Sequence, residues 1–272
     1  MGSPALPPDR IRSADGTTLA FERAGAGPTL VVVGGALSDR STFRALARRL
    51  SHAATVVCYD RRGRGESGDR LPHRVADEVD DLHALCARTG PPAVLYGHSS
   101  GGLLALAAVA RGLPVGRLVL YEPPFLTGAL ARRVVPGLGA RLGQLAADDR
   151  RAEAISAFLV RGTGMSPEEV VAMQGAPVWE VMLGLAHTLA YDVALCVGDE
   201  AVGALEAAAV EVDSLVLAGG ESRGTIREAA EDLADRLPKG RLAVLDGQGH
   251  VVESAVVAPV LAAELGEGAR RR

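Results

Sequence analysis

The stretch AVLYGHSSGGLLALAAVA, residues 93–110, decides how the rest of the chain is read. It opens on a short apolar run, breaks at Gly97-His98-Ser99-Ser100-Gly101, and continues apolar from Leu103 to Ala110. That order predicts a buried strand, a tight turn and a buried helix. A Gly-x-Ser-x-Gly turn in this setting lifts the Ser99 hydroxyl above the strand ends, beside a helix N-terminus. There the helix dipole and free N–H groups stabilise developing negative charge, with the Ser100 amide as one natural oxyanion donor. Gly97 and Gly101 supply the clearance that so sharp a turn demands. A tight turn with a merely structural serine is the other reading of the motif. No charged residue lies between Arg88 and Arg111, a length able to span a bilayer. Pro91-Pro92 and the glycine-rich centre argue against a continuous membrane helix, so no membrane partner is expected.

Outward from this stretch, short β-branched runs alternate with helical patterns. Strands are predicted at 29–33, 55–59, 93–96, 117–121, 214–218 and 241–245, each nearly continuous in apolar residues as when both sheet faces are covered. A hairpin is predicted around Asp15-Gly16, joining 11–13 to 18–23. Helices are predicted at 41–50, 75–88, 100–111, 225–237 and 252–265, with Thr225 as the N-cap of the fourth and Pro259 kinking or resetting the fifth. The fold class is α/β: a mostly parallel, doubly wound sheet of about eight strands. Residues 1–124 and 213–272 form its core, and 125–212, helical in pattern and without a strand, form a helical cap insertion.

The 272 residues carry a net charge of −4, which gives no electrostatic case for nucleic-acid binding. Three separated cysteines, Cys58, Cys86 and Cys196, form neither a zinc-spaced cluster nor a disulfide framework and point to a reducing cytoplasm. The opening MGSPALPPDRIRS has no apolar stretch of the signal-peptide kind. No metal spacing and no phosphate loop after a strand is found, so no cofactor is expected. Nothing in the sequence speaks to oligomeric state.

From about residue 10 to 265 the chain resembles the α/β-hydrolase superfamily. The run Tyr59-Asp60-Arg61-Arg62-Gly63-Arg64-Gly65-Glu66-Ser67 is similar to a loop of that family in which Asp60 and Arg62 are structural. Val33-Gly34-Gly35-Ala36 stands where the family has a His-Gly oxyanion loop, with Gly34 in place of the histidine. The Ala36 amide is the expected second oxyanion donor. The resemblance makes His250, in Gly247-Gln248-Gly249-His250 before the last helix, the general base among six histidines. His98 packs or lines the pocket, and His187 is set to touch substrate from the insertion.

The acid is less clear from the residues. The family's usual acid follows the strand at 214–218, where this chain has Gly220-Glu221-Ser222, a serine at the usual position. Some relatives carry the acid at the earlier strand end, and Glu122 fits that place in the order Ser99, Glu122, His250. Glu221 stays an alternative, the absence of any true acid another, and Asp246 a remote one.

In the insertion, Trp179 and Met182, with Phe125 at its entrance, are expected to line an apolar substrate pocket. The reading is hydrolysis of a carboxylic ester, lactone or thioester of an apolar small molecule through a Ser99 acyl-enzyme. Gly34 and the displaced acid keep open an acyltransferase, lyase or cyclase on the same scaffold. A ligand-binding protein without turnover is the third reading.

Overall fold

In the computed structural model, which describes residues 8–131, 136–222 and 224–270, the apolar runs pair into one eight-stranded sheet. The strands are β1 (Asp9–Arg12), β2 (Thr18–Ala24), β3 (Thr29–Val33), β4 (Thr55–Tyr59), β5 (Val94–His98), β6 (Arg117–Tyr121), β7 (Ser214–Gly219) and β8 (Gly240–Leu245). Their spatial order is β1-β2-β4-β3-β5-β6-β7-β8, with the β1–β2 and β2–β4 pairs antiparallel and the remaining pairs parallel. The segment read as lacking a signal peptide lies mostly outside the described residues.

Strand periodicity divides the core in two. Val31, Val33, Leu95, Leu118, Leu120, Val216 and Ala218 face one layer, while Leu30, Val32, Val94, Tyr96, Val119, Tyr121, Leu215 and Leu217 face the other. The second layer is closed by α1 (Arg44–Leu50) through Leu46 and Leu50. The first is closed by α2 (Val75–Thr89) and α3 (Ser100–Ala110), the latter buried nearly all round. Residues 88–111 are therefore the end of α2, β5, a turn and α3, not a membrane span.

Between β6 and β7 the described residues form helices only: α4 (Gly128–Ala131), α5 (Leu138–Ala147), α6 (Arg151–Phe158), α7 (Pro167–Met173), α8 (Val178–Leu185), α9 (Leu189–Cys196) and α10 (Ala204–Ala209). They divide by what they bury. Leu138, Leu142, Ile155, Trp179, Met182 and Leu189 make a separate apolar cluster, whereas Leu195, Val202, Ala207 and Val210 join the sheet's own core. The run Val178–Cys196 is long and apolar enough to cross a membrane, yet 56% of it is buried inside the protein. After β7 come α11 (Thr225–Arg236) and α12 (Ser254–Arg270), on opposite faces of the sheet.

Three local expectations need correction. Gly224, at φ 62°, is the residue that caps α11, and Thr225 is its first helical residue. The last helix starts at Ser254, so Pro259 sits within it and neither resets its start nor ends it. The outer strand β8 is not covered on both faces, since Leu242 and Val244 are 38% and 39% exposed at the sheet edge.

In this order β4 lies on one side of β3 and β5 on the other, so the winding direction reverses at β3. Open α/β sheets bind ligands in the crevice outside the strand ends at such a switch point. The loop after β3 and the turn after β5 both open there.

Candidate active site

Ser99 occupies the turn between β5 and α3 at φ 54°, ψ −129°, a conformation that side chains rarely adopt. Its amide donates to the Tyr121 carbonyl at 2.9 Å, and its carbonyl accepts from the Gly102 amide at 2.8 Å. The neighbouring glycines have no substitute: a Cβ on Gly97 would stand 2.5 Å from the Gly102 Cα, and one on Gly101 2.4 Å from the Val33 carbonyl oxygen. Among the described residues, four non-glycine positions have positive φ, and Leu37, Ser99 and Glu122 are three of them, all beside this crevice. Strain persists in folded proteins where the surroundings enforce it, often at functional sites.

Glu122 follows β6, is fully buried, and is tied by its amide to the Leu217 carbonyl at 2.9 Å. Its Oε2 lies 2.8 Å from His250 Nδ1, and His250 Nε2 lies 3.1 Å from Ser99 Oγ. An ionised carboxylate can only accept, so the Nδ1 proton belongs to His250 and its Nε2 is free to accept from the Ser99 hydroxyl. Oε1 accepts the Gly219 amide at 2.7 Å. Burial pushes the Glu122 pKa upward, but hydrogen bonds from His250, Ser222 and the Gly219 amide outweigh it and hold the carboxyl below its ordinary value. The structure thus brings Ser99, His250 and Glu122 together and leaves Glu221 and Asp246 exposed. Ser222, at the usual acid position, touches Glu122.

The His250 loop is held from beneath. The Tyr121 hydroxyl donates to the Gly249 carbonyl, and His98 Nε2–H donates to the His250 carbonyl at 2.9 Å. The His98 and Tyr121 rings stack, with centroids 5.5 Å apart. Burial, and then the neighbouring His250, lower the His98 pKa to about 4, so its ring is neutral at ordinary pH. This differs from a pocket-lining role. His98 shares strand parity with Val94 and Tyr96 and so points to the α12 side, under the His250 loop.

Facing Ser99 is the loop after β3. A Cβ on Gly35 would come within 2.9 Å of the Ser99 Cβ. The Ala36 amide finds no acceptor among the described residues, and Ser100 opens α3, where an amide lacks an intrahelical partner. The loop is gripped from the far side by Arg61, Arg64 and Ser38, which donate to the Gly34 and Gly35 carbonyls. Asp60 and Arg62 are pins of the fold, the first accepting from the Arg40 amide, the second pairing with Asp81.

Trp179 and Met182 lie in the apolar cluster against which Ala36 and Leu37 pack. Phe125 does not join them: it is fully buried in the sheet's core beside residues of α3, because the chain turns inward after Pro123-Pro124. His187 has a buried Nδ1 without a hydrogen-bond partner. Sequence reasoning missed Tyr121, Ser38, Arg64 and Asp192. Of these, Asp192 left a trace, the one charge in the apolar helix LAYDVALC.

A family model described as the alpha/beta hydrolase family matches residues 30–263. A solved alpha/beta hydrolase of Sphaerobacter thermophilus is 43% identical, with TM-score 0.87, over 94% of this chain and 99% of that one. The chain is also similar to N-formylmaleamate deformylase of Pseudomonas putida, 37% identical over 41% of this chain and 44% of the relative. Pimeloyl-[acyl-carrier protein] methyl ester esterase of Stenotrophomonas maltophilia is 32% identical over 60% of this chain and 66% of the relative. The chain thus spans less than half of the deformylase and just under two thirds of the esterase.

Proposed function

The chain belongs to the alpha/beta hydrolase family, and we propose that it hydrolyses a carboxylic ester, lactone or thioester of an apolar small molecule through a Ser99 acyl-enzyme. The observation that carries this reading is the run from Ser99 Oγ to His250 Nε2, 3.1 Å, and from His250 Nδ1 to a fully buried Glu122, 2.8 Å.

A serine hydroxyl is a weak nucleophile until a neighbouring base takes its proton. His250 Nε2 accepts that proton as Ser99 attacks the carbonyl carbon, and Glu122 stabilises the resulting imidazolium. The carbonyl oxygen becomes an oxyanion held by the Ala36 and Ser100 amides, each worth about 3 kcal/mol in comparable sites. Collapse expels the leaving group, which takes the proton from His250. Water then enters, gives a proton to His250, and attacks the acyl carbon, and the imidazolium returns the proton to Ser99.

Helix α8, which carries Trp179 and Met182, forms the roof of the pocket and selects apolar acyl groups, with His187 as a polar contact. The apolar cluster shared by these side chains with Ala36 and Leu37 supports that choice. The methyl ester esterase and deformylase relatives support hydrolysis as the reaction. With Glu122 at bonding distance from His250, the serine at position 222 gives no reason to prefer a non-hydrolytic reaction.

The test is turnover of para-nitrophenyl esters of rising chain length. Saturable hydrolysis favouring an apolar acyl group, lost in Ser99→Ala, is the expected result. Equal rates for wild type and Ser99→Ala would overturn the reading.

A further inference from the structure

The helical stretch between β6 and β7 sends one carboxylate into the protein beneath the crevice. Asp192, on α9, is 1% exposed. Its Oδ1 accepts from Ser100 Oγ at 2.7 Å and from Arg61 Nη1 at 2.8 Å, and Arg64 Nη2 donates to both of its oxygens at 2.9 Å. Burial raises its pKa, but Arg64 and Arg61 outweigh that, so the carboxylate stays charged.

Each partner leads to the loops around Ser99. Ser100 contributes one proposed oxyanion donor from its own amide. Arg64 Nη1 donates to the Gly35 carbonyl, which also accepts from Ser38 Oγ at 2.7 Å. The Gly35 carbonyl and the Ala36 N–H belong to one trans peptide unit, so fixing the oxygen on one side aims the N–H to the other. Arg61 Nη1 also donates to the Gly34 carbonyl at 3.2 Å, steadying the preceding peptide.

We infer that Asp192 is the positioning residue for both oxyanion donors, acting on Ser100 directly and on Ala36 through Arg64 and the Gly35 carbonyl. This rests on the serine-hydrolase reading above. A carboxylate present only to balance buried arginine charge would have no need of Ser100. Arg61 already has a bidentate partner in Glu78 at 2.7 Å. Arg64 leaves its buried Nε without a partner, so its placement follows the Gly35 carbonyl and Asp192 rather than its own hydrogen-bonding capacity. Helix α9, whose Leu189 and Val193 share the apolar cluster of Trp179 and Met182, is thereby wired to the catalytic loops, and its seating sets the oxyanion hole.

The experiment compares wild type, Asp192→Asn, Ser100→Ala and Ser99→Ala on a para-nitrophenyl ester. A trifluoromethyl ketone serves as mimic of the tetrahedral oxyanion, and thermal melting checks the fold. Small misplacements of catalytic groups cost up to about a hundredfold. Asp192→Asn is expected to lower kcat by roughly 10- to 100-fold with KM within threefold, and to weaken ketone inhibition by a similar factor. Ser100→Ala, which keeps the amide and removes only the hydroxyl anchor, is expected to lose roughly fivefold in both. If Asp192→Asn does not fold, Ser100→Ala decides. An active wild type whose folded variants stay within twofold in kcat and ketone affinity would overturn the inference and leave the hydrolase reading standing, as would a rise in KM alone. A wild type that neither turns over the ester nor binds the ketone would remove both.

Discussion

Replacing Glu122 by Gln changes one oxygen for an amide group at almost constant volume, yet the buried surroundings leave that amide no good orientation. The Gly219 amide donates to Oε1 and His250 Nδ1 donates to Oε2. Glutamine offers one accepting oxygen and one donating NH2. If its oxygen stays on Gly219, the NH2 faces Nδ1 and forces the other tautomer, in which Nε2 holds the proton and cannot accept from Ser99. In comparable triads that costs about 10⁴ in rate. If the amide flips, His250 keeps its tautomer but two buried N–H groups oppose each other, at about 1–3 kcal/mol. The lost carboxylate charge removes about 1–2 kcal/mol more from the imidazolium. The less costly route governs, so about 2–5 kcal/mol, centred near 10²- to 10³-fold in kcat/KM, is expected. The assay is ester hydrolysis by purified Glu122→Gln, with thermal melting as the fold check and the exposed Glu221→Gln as control, expected within twofold. A folded Glu122→Gln within tenfold of wild type, or a large loss in Glu221→Gln instead, would refute the reasoning.

Two further outcomes follow from the same packing. The unfolded chain protonates His98 near the ordinary value of about 6.5, the folded one only near 4. The unfolded state therefore binds more protons in that window, and stability falls as pH drops through it, by up to roughly 3 kcal/mol. Urea midpoints measured from pH 7 to 4 should fall less steeply for His98→Gln than for wild type, and parallel curves would contradict this. Gly101→Ala places a Cβ 2.4 Å from the Val33 carbonyl oxygen and is expected to cost about 3 kcal/mol or more, read as a lower urea midpoint; an unchanged midpoint would show that the turn relaxes freely.

The elbow was legible because its signals are local: an apolar run, small residues at the turn and an apolar helix occupy eighteen consecutive positions. Glu122 was one of three carboxylates the residues offered as the acid, and its burial beside His250, against the exposure of Glu221 and Asp246, is what a linear reading does not show. For His98, read as packing or lining the pocket, parity decides for packing: counted with Val94 and Tyr96, it falls on the layer that carries α12. Phe125 was assigned to the pocket by its place after β6, whereas the inward turn of the chain puts it in the core. Asp192 was out of reach because its partner Ser100 is 92 positions away, and only packing of α9 on α3 joins them. The same holds for the division of 125–212, where helical periodicity alone does not reveal which helices bury against the sheet.

The central claim is that Ser99 is an activated nucleophile. Intact mass after treatment with a fluorophosphonate tests it most directly. One adduct on wild type and none on Ser99→Ala, both folded by thermal melting, is the expected result. A folded wild type that stays unmodified, or an adduct that persists without the Ser99 hydroxyl, would contradict it.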